Sequence, residues 1–163
     1  MRFGSTMKEA GFTLMELVIV LVVVGVLSAY AMMKNSSSSV FSLLSQAQTL
    51  ASDIKHVQSM ATVWGKSLTI SSAGGANGTY SVSCTNGGGA PCNSSNPVIN
   101  PSTGTPFTVS LEKGVILSPS PATLVINSLG KPAASAQYVL STTDGTTVTV
   151  VVAPITGHVT VTP

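Results

Sequence analysis

Few residues of this chain could take part in catalysis. Both histidines, His56 and His158, and the carboxylates of Asp53 and Asp144 are the residue types of a Ser-His-Asp set. The chain has no nucleophile-elbow motif that would present an activated serine beside them. The sequence therefore predicts a protein that is not an enzyme and has no catalytic residues.

Metal, cofactor and nucleic-acid sites also lack the residues that they need. Past position 66 the only acids are Glu112 and Asp144, whereas a calcium site needs several converging oxygens. Arg2 is the single arginine, and no Lys or Arg follows Lys131, which removes most of the capacity to bind phosphates. We expect no metal, no cofactor and no nucleic acid.

The two cysteines, Cys84 and Cys92, flank the flexible stretch TNGGGAP. A CxxC redox or metal motif has a shorter spacing, and no His or Cys cluster accompanies this pair. The pattern favours a structural disulfide formed in an oxidising compartment, with two free buried thiols as the alternative. Only 7% of residues are charged, against roughly 25% in ordinary soluble domains. This composition, rich in Ser, Thr, Gly, Asn and Pro, is typical of an extracytoplasmic β-rich domain.

One carboxylate, Glu16, interrupts the apolar run from Phe12 to Met33. The run has 22 residues, and a helix of that length is about 33 Å long, enough to cross a bilayer. It could also be a secretory signal, cut after Ala31 at the small-x-small site Ala29-Tyr30-Ala31 to release a soluble binding or enzymatic domain. A carboxylate inside a signal's apolar region costs about 2.5–3.5 kcal/mol, which counts against that alternative.

The stretch KEAG followed by FTLMELVIVLVVVGVL resembles the type IV prepilin signature, the class III signal of pilins and type II secretion pseudopilins. The resemblance implies that prepilin peptidase cuts between Gly11 and Phe12 and that Phe12 becomes N-methylated. Glu16 is then the fifth residue of the processed chain and Gly25 the fourteenth, as in the family. In that family Glu16 would meet the N-terminal amine of a neighbouring subunit during assembly.

The same resemblance implies partners and a location. The partners are other pilin or pseudopilin subunits, prepilin peptidase and an inner-membrane assembly platform. The protein would cross the bacterial inner membrane once, with a periplasmic head, and enter a pilus or a periplasmic pseudopilus. Met33 stands where many pilins have a helix-kinking proline, so the helix path there, ahead of the serine-rich stretch 35–39, stays open.

A second periodic segment follows the serines. Its apolar residues recur at helical spacing and predict one face of an amphipathic helix that ends near Gly65: Val40, Leu44, Ala47, Ala51, Ile54, Val57, Ala61 and Trp64. Trp64 is predicted to be a core residue.

After Gly65 the apolar residues alternate, which is typical of β-strands. Eight strands are predicted, at SLTIS, TYSVS, FTVSL, GVIL, TLVIN, QYVLST, TVTVVVA and HVTVT, and Asp144-Gly145 indicates a two-residue hairpin turn. The predicted fold is α+β, a long N-terminal helix (transmembrane, then amphipathic) packed on an antiparallel β-sheet head.

The predicted domains are a leader 1–11, a transmembrane and filament-core helix 12–33, an amphipathic helix 34–65 and a periplasmic head 66–163. The stretch ASDIKHVQSMATVWGKSLTIS resembles GspH/FimT-type minor pilins and pseudopilins. That resemblance implies a structural subunit of a type IV pilus or type II secretion filament.

Overall fold

A computed structural model describes residues 13–86, 90–92 and 97–163, without the side chains of residues 29–39. Within these ranges the chain forms one helix, α1 (Leu14–Trp64), and nine strands. The strands are β1 (Leu68–Ala73), β2 (Gly75–Ala76), β3 (Thr79–Cys84), β4 (Thr108–Ser110), β5 (Val115–Ser120), β6 (Thr123–Ile126), β7 (Ala136–Thr142), β8 (Thr147–Val152) and β9 (Val159–Thr162). All eight predicted strands are present. The two-residue strand β2 was not predicted, because it lies in a glycine-rich stretch that has the composition of a turn.

The strands form two antiparallel sheets. The first has the order β4-β3-β1-β6 and the second has the order β2-β5-β7-β8-β9. The alternation seen in the sequence is the burial pattern of the strands: in β7 every second residue from Ala136 to Thr142 is buried. The α+β fold with a long N-terminal helix on antiparallel sheets is thus confirmed.

One hydrophobic core lies between the two sheets and the second half of α1. The helix contributes a buried stripe: Leu43, Ala47, Leu50, Ala51, Ile54, Val57, Met60 and Ala61. The predicted stripe was wrong at its start, since Val40 is exposed and Leu44 is only partly buried. The prediction also omitted three buried residues, Leu43, Leu50 and Met60. The predicted core position of Trp64 is confirmed in part, because its side chain is half-buried against the core.

The end of α1 is capped as the sequence predicted. Gly65 has a φ of +62°, and its N–H donates to the Thr62 carbonyl at 3.4 Å. The Lys66 N–H reaches back to the Ala61 carbonyl at 3.2 Å. These two bonds form a Schellman motif, which satisfies carbonyls that the helix end leaves without partners.

The turn between β7 and β8 differs from the prediction. The Thr142 N–H donates to the Thr146 carbonyl, and the Gly145 N–H donates to the Thr142 carbonyl at 3.1 Å. Three residues, Thr143 to Gly145, therefore form the loop, in place of a two-residue turn. Gly145 alone has a positive φ, +84°, whereas a two-residue type I′ turn needs a positive φ at both central residues.

The chain divides into two compact units, residues 1–38 and 39–163. Among the described residues, no helix combines the length and the hydropathy needed to cross a membrane. The predicted leader, 1–11, lies outside the described residues. The predicted span over 12–33 begins at Phe12, also outside them, and stays a prediction.

Two buried tyrosines fill the centre of the core in different ways. The Tyr80 hydroxyl, from β3, donates to Asp53 Oδ2 of α1 at 2.6 Å. Burial, together with the bond to Asp53 and its charge, raises the pKa of Tyr80. The hydroxyl of Tyr138 and that of Ser72 are buried without a hydrogen-bond partner among the described residues. Burial raises the pKa of Tyr138 to about 12.

We predict opposite outcomes for removal of the two hydroxyls. Tyr80→Phe should lower the free energy of unfolding by about 1–3 kcal/mol, because it breaks a hydrogen bond to a carboxylate and leaves Asp53 without this donor. Tyr138→Phe is the matched control and should leave that free energy unchanged or raise it slightly, since it removes a polar atom that pairs with nothing. Urea denaturation of both variants measures the difference, and equal losses would contradict the assignment.

Candidate functional site

The predicted site residues lie in two separate parts of the chain. Gly11 and Phe12, the predicted cleavage and methylation residues, are outside the described residues. Glu16 lies in the first turn of α1 and is exposed. Cys84 and Cys92 lie in the head. The site that the structure describes is therefore the first half of α1 from Thr13 onward.

Thr13 caps the N-terminus of α1. Its carbonyl accepts the N–H groups of Glu16 and Leu17 at 3.1 and 3.2 Å, and its Oγ1 lies 3.3 Å from the Glu16 N–H. Thr-x-x-Glu is the sequence of a capping box, in which the hydroxyl at the cap accepts the N–H three residues on. A carboxylate at this position also interacts favourably with the positive end of the helix dipole. The cap by Thr13 was missed in the sequence, although TLME has the residues of a capping box at the right spacing.

After Glu16 the helix surface is apolar on all sides. From Leu14 to Leu27 the large apolar side chains are 46–82% exposed, and Glu16 is the only charged residue among them. Gly25 adds no bulk, and an added Cβ there would meet nothing within 4 Å. A helix that is hydrophobic all round is stable only when other apolar groups cover it. This segment therefore needs lipid or other protein around it.

Cys84 and Cys92 form a disulfide, with Cα atoms 5.8 Å apart. Cys84 ends β3, and Cys92 is buried in the core. The predicted bridge is present, and the alternative of two free thiols is wrong.

The candidate catalytic residues are not brought together. The carboxylate of Asp53 accepts the Tyr80 hydroxyl, and the His56 ring lies 6.1 Å from the ring of Phe107. Asp144 is in the β7–β8 turn and His158 follows the β8–β9 turn, so the two lie at opposite ends of β8. The described residues also contain no group of three His, Cys, Asp or Glu that could hold a metal ion.

Polar contacts fix the second half of α1 to the head at both ends. Gln46 Oε1 accepts the Glu112 N–H at 3.0 Å, and the Ser42 hydroxyl donates to the Glu112 carboxylate. Three turns further on, Gln58 Nε2 donates to the Gly157 carbonyl at 2.7 Å. With the Tyr80–Asp53 bond between them, these contacts hold the helix in one orientation on the sheets. Sequence reasoning missed them, because Gln46 and Gln58 have no local pattern that reports a distant partner.

Comparison with known proteins gives two matches. Residues 6–32 match the family model of the prokaryotic N-terminal methylation motif. The fold is similar to the crystal structure of the type IV minor pilin FimU from Pseudomonas aeruginosa, with a TM-score of 0.52 and 14% sequence identity. The similarity covers 74% of this chain and 88% of the FimU chain, and at this identity it shows the fold. None of the curated proteins matches the chain.

We predict that the disulfide stabilises the head. Replacing both cysteines by serine should lower the free energy of unfolding by about 2–3 kcal/mol, because the bridge closes a short loop that is otherwise free in the unfolded chain. Non-reducing intact-mass analysis of the native protein should show two hydrogens fewer than the free dithiol. Equal stability of the double variant would contradict this role.

Proposed function

Because the chain is a type IV pilin-like protein, we propose that it is a structural subunit of a type IV pilus or a type II secretion filament. After cleavage between Gly11 and Phe12 it polymerises through the first half of α1. Before assembly it is held in the bacterial inner membrane by residues 12–33, with the head in the periplasm. Its partners are prepilin peptidase, the assembly platform and other subunits.

One observation carries this proposal. The methylation motif covers residues 6–32, and this same segment contains the all-round apolar surface of α1. A soluble domain would gain nothing from exposing so much apolar surface, whereas a subunit that moves from a bilayer into a filament keeps that surface covered throughout. The disulfide supports the periplasmic side for the head, because such bonds persist in oxidising compartments.

Glu16 has two candidate roles in this setting. Thr-x-x-Glu at 13–16 is a capping-box sequence, in which the carboxylate would accept the Thr13 N–H and stabilise the first turn of α1, which is a local role. Cleavage after Gly11 also creates a cation, the amine of Phe12, and a carboxylate and an amine buried together in a filament neutralise each other. Since the described chain gives the exposed carboxylate no cationic partner, we assign it to the Phe12 amine of a neighbouring subunit.

We further propose that the subunit is a minor pilin or pseudopilin. FimU, whose fold it shares, is a type IV minor pilin. Past position 66 the sequence has only two acids, Glu112 and Asp144, and the residues that the structure describes contain no group of three His, Cys, Asp or Glu that could hold a metal ion. The head is thus a structural part of the filament and not a catalytic domain.

We predict that Gly11 determines processing. Gly11→Leu should leave the precursor uncut in the membrane, because a side chain at this position obstructs the approach of the peptidase to the backbone. Immunoblots of membrane fractions would show the larger form, and N-terminal sequencing of the wild type should give methylated Phe12. A mature protein that begins at Met32 would contradict the proposal and favour the released soluble domain.

We predict that the charge of Glu16 is needed for assembly. Glu16→Val leaves the neighbour's amine unpaired, at a cost of about 3–5 kcal/mol for a broken buried pair, so processed monomer should accumulate in the membrane and disappear from sheared filaments. Insertion should be unharmed, since the segment becomes more apolar.

Glu16→Gln separates the two roles of this residue. Glutamine keeps a capping-box side chain but carries no charge. If the charge pair matters, Glu16→Gln should fail to assemble as Glu16→Val does. Recovery of Glu16→Gln protein in filaments at the wild-type level would assign Glu16 to capping alone.

A further inference from the structure

The outer face of the second sheet is polar and uncharged. Residues that pair across neighbouring strands point to the same side of a sheet, so the register arranges the outward side chains in rows. All of these side chains are exposed or half-buried, whereas their neighbours along the strands, such as Tyr138 and Val150, are buried in the core. The rows are Ser120-Gln137-Val151-Thr160, Ser118-Val139-Thr149-Thr162 and Ile116-Ser141-Thr147.

A groove of about 390 Å³ opens at one end of this face. Binding sites for small molecules have volumes of about 300–1,000 Å³, so the groove is large enough to hold a ligand. Its lining combines three members of the first row with three residues beside them: Ser120, Gln137, Val151, Pro121, Ser135 and Ala136.

The polar side chains of the groove have no partners within the described chain. The hydroxyls of Ser120 and Ser135 and the side-chain amide of Gln137 form no hydrogen bond with any other described residue. Each hydroxyl can donate and accept, and the amide adds two donors and one acceptor. The groove therefore offers a ligand hydrogen-bonding groups of both kinds, close together and unused by the fold.

Charge is absent from the groove. None of its lining residues is charged, and neither is any residue in the three rows. A phosphate, sulfate or carboxylate ligand would find no Lys or Arg in the lining to pair with, and an amine would find no carboxylate. The lining therefore favours a neutral ligand with several hydrogen-bonding groups.

The most exposed apolar side chains of the β-rich head lie outside the groove. Leu129 and Ile155, in two of its loops, are 71% and 74% exposed, and neither lines the groove. Ile155 has a φ of +70°, and the Thr156 N–H donates to the Pro154 carbonyl at 2.8 Å, which makes Ile155 the centre of a γ-turn. Large exposed apolar side chains are typical of contacts with protein, and the groove has only the half-buried Val151 of that type.

A sugar has the chemistry that this lining can bind. Its hydroxyls donate and accept as the groups of Ser120, Ser135 and Gln137 do, and its C–H groups can pack against apolar atoms of Pro121 and Val151. The first row continues beyond the groove to Thr160. Since neighbouring strands are about 4.8 Å apart, this row is roughly 14 Å long, which suits a chain of sugars better than a single ring.

We propose that the groove binds a neutral oligosaccharide, with Gln137 and Ser120 as hydrogen-bonding residues and the rest of the first row beside the following sugars. This binding site goes beyond the proposed function, since it concerns the head alone. Loss of the sugar site would leave the filament function standing, and a chain that never entered a filament could still bind the sugar.

An array of immobilised oligosaccharides tests the ligand class. The full-length processed protein, in micelles of a polyoxyethylene detergent that contains no sugar, should bind neutral oligosaccharides more tightly than the matching monosaccharides. Sulfated and uronic-acid oligosaccharides should not be retained, because the lining offers them no cation. Binding confined to these acidic sugars, equal binding of monosaccharides, or no binding to any neutral member of the array would overturn the proposal.

A pair of variants tests the position of the site. Gln137→Leu keeps a side chain of similar size without the amide, so the affinity for the neutral oligosaccharide bound most tightly on the array should fall about tenfold or more, measured by titration calorimetry. Thr123→Ala is the matched control, because it removes an exposed hydroxyl from β6 of the other sheet, and its affinity should equal that of the wild type. Both positions are exposed, so the unfolding temperature should be the same in all three proteins. Wild-type affinity in Gln137→Leu, or an equal loss in Thr123→Ala, would overturn the site.

Discussion

The head depends on one stripe of α1, the buried residues from Leu43 to Ala61, around which both sheets pack. Neither sheet could bury its apolar face without it, because a single twisted sheet needs a second layer to form a core. Along this stripe the small side chains of Ala47, Ala51 and Ala61 and the larger ones of Leu50 and Ile54 are all buried. The polar contacts of Gln46, Asp53 and Gln58 then fix the rotation of the helix, which apolar packing alone leaves adjustable.

Before residue 39 the same helix has a different surface. Its second half is apolar on one side because the head covers only that side, whereas its first half is apolar on all sides from Leu14 to Leu27. A segment of the second kind is stable only where other apolar groups cover it. At the start of this half the Thr13 hydroxyl accepts the Glu16 backbone N–H, which caps the first turn, while the Glu16 side chain is exposed. In the filament that we propose, the carboxylate would pair with the Phe12 amine of a neighbouring subunit.

The sequence predicts what depends on short periods and misses what depends on distant partners. The strands were correct because alternation continues through TVTVVVA and QYVLST, and Gly65 marked the helix end because its cap is local. The buried stripe was wrongly predicted to include Val40. The buried face of the helix includes Leu43 and Leu50, because the position of the sheets determines which side of the helix is covered. The hydrogen bond between Glu112 and Gln46 joins residues 66 positions apart, and the bond between Gly157 and Gln58 joins residues 99 positions apart. No local sequence pattern predicts either bond. Of the site, Glu16 and the cysteines could be identified from type and spacing, but the exposure of Val63, Leu129 and Ile155 could not.

Exposed apolar residues and backbone strain occur together in two loops of the head, at Leu129 and Ile155. Ile155 in a γ-turn and Leu129 at a loop tip contribute nothing to the core, and the monomer would be more stable with polar or relaxed residues there. The surrounding structure nonetheless holds them firmly, through Gly157 against Gln58 and Gly130 against Thr62. A loop that is already ordered by folding loses little conformational entropy when a partner binds. The free energy of the contacts with the partner is then not offset by the cost of ordering the loop. The features that least favour the isolated chain are thus among those that the surrounding structure holds in place.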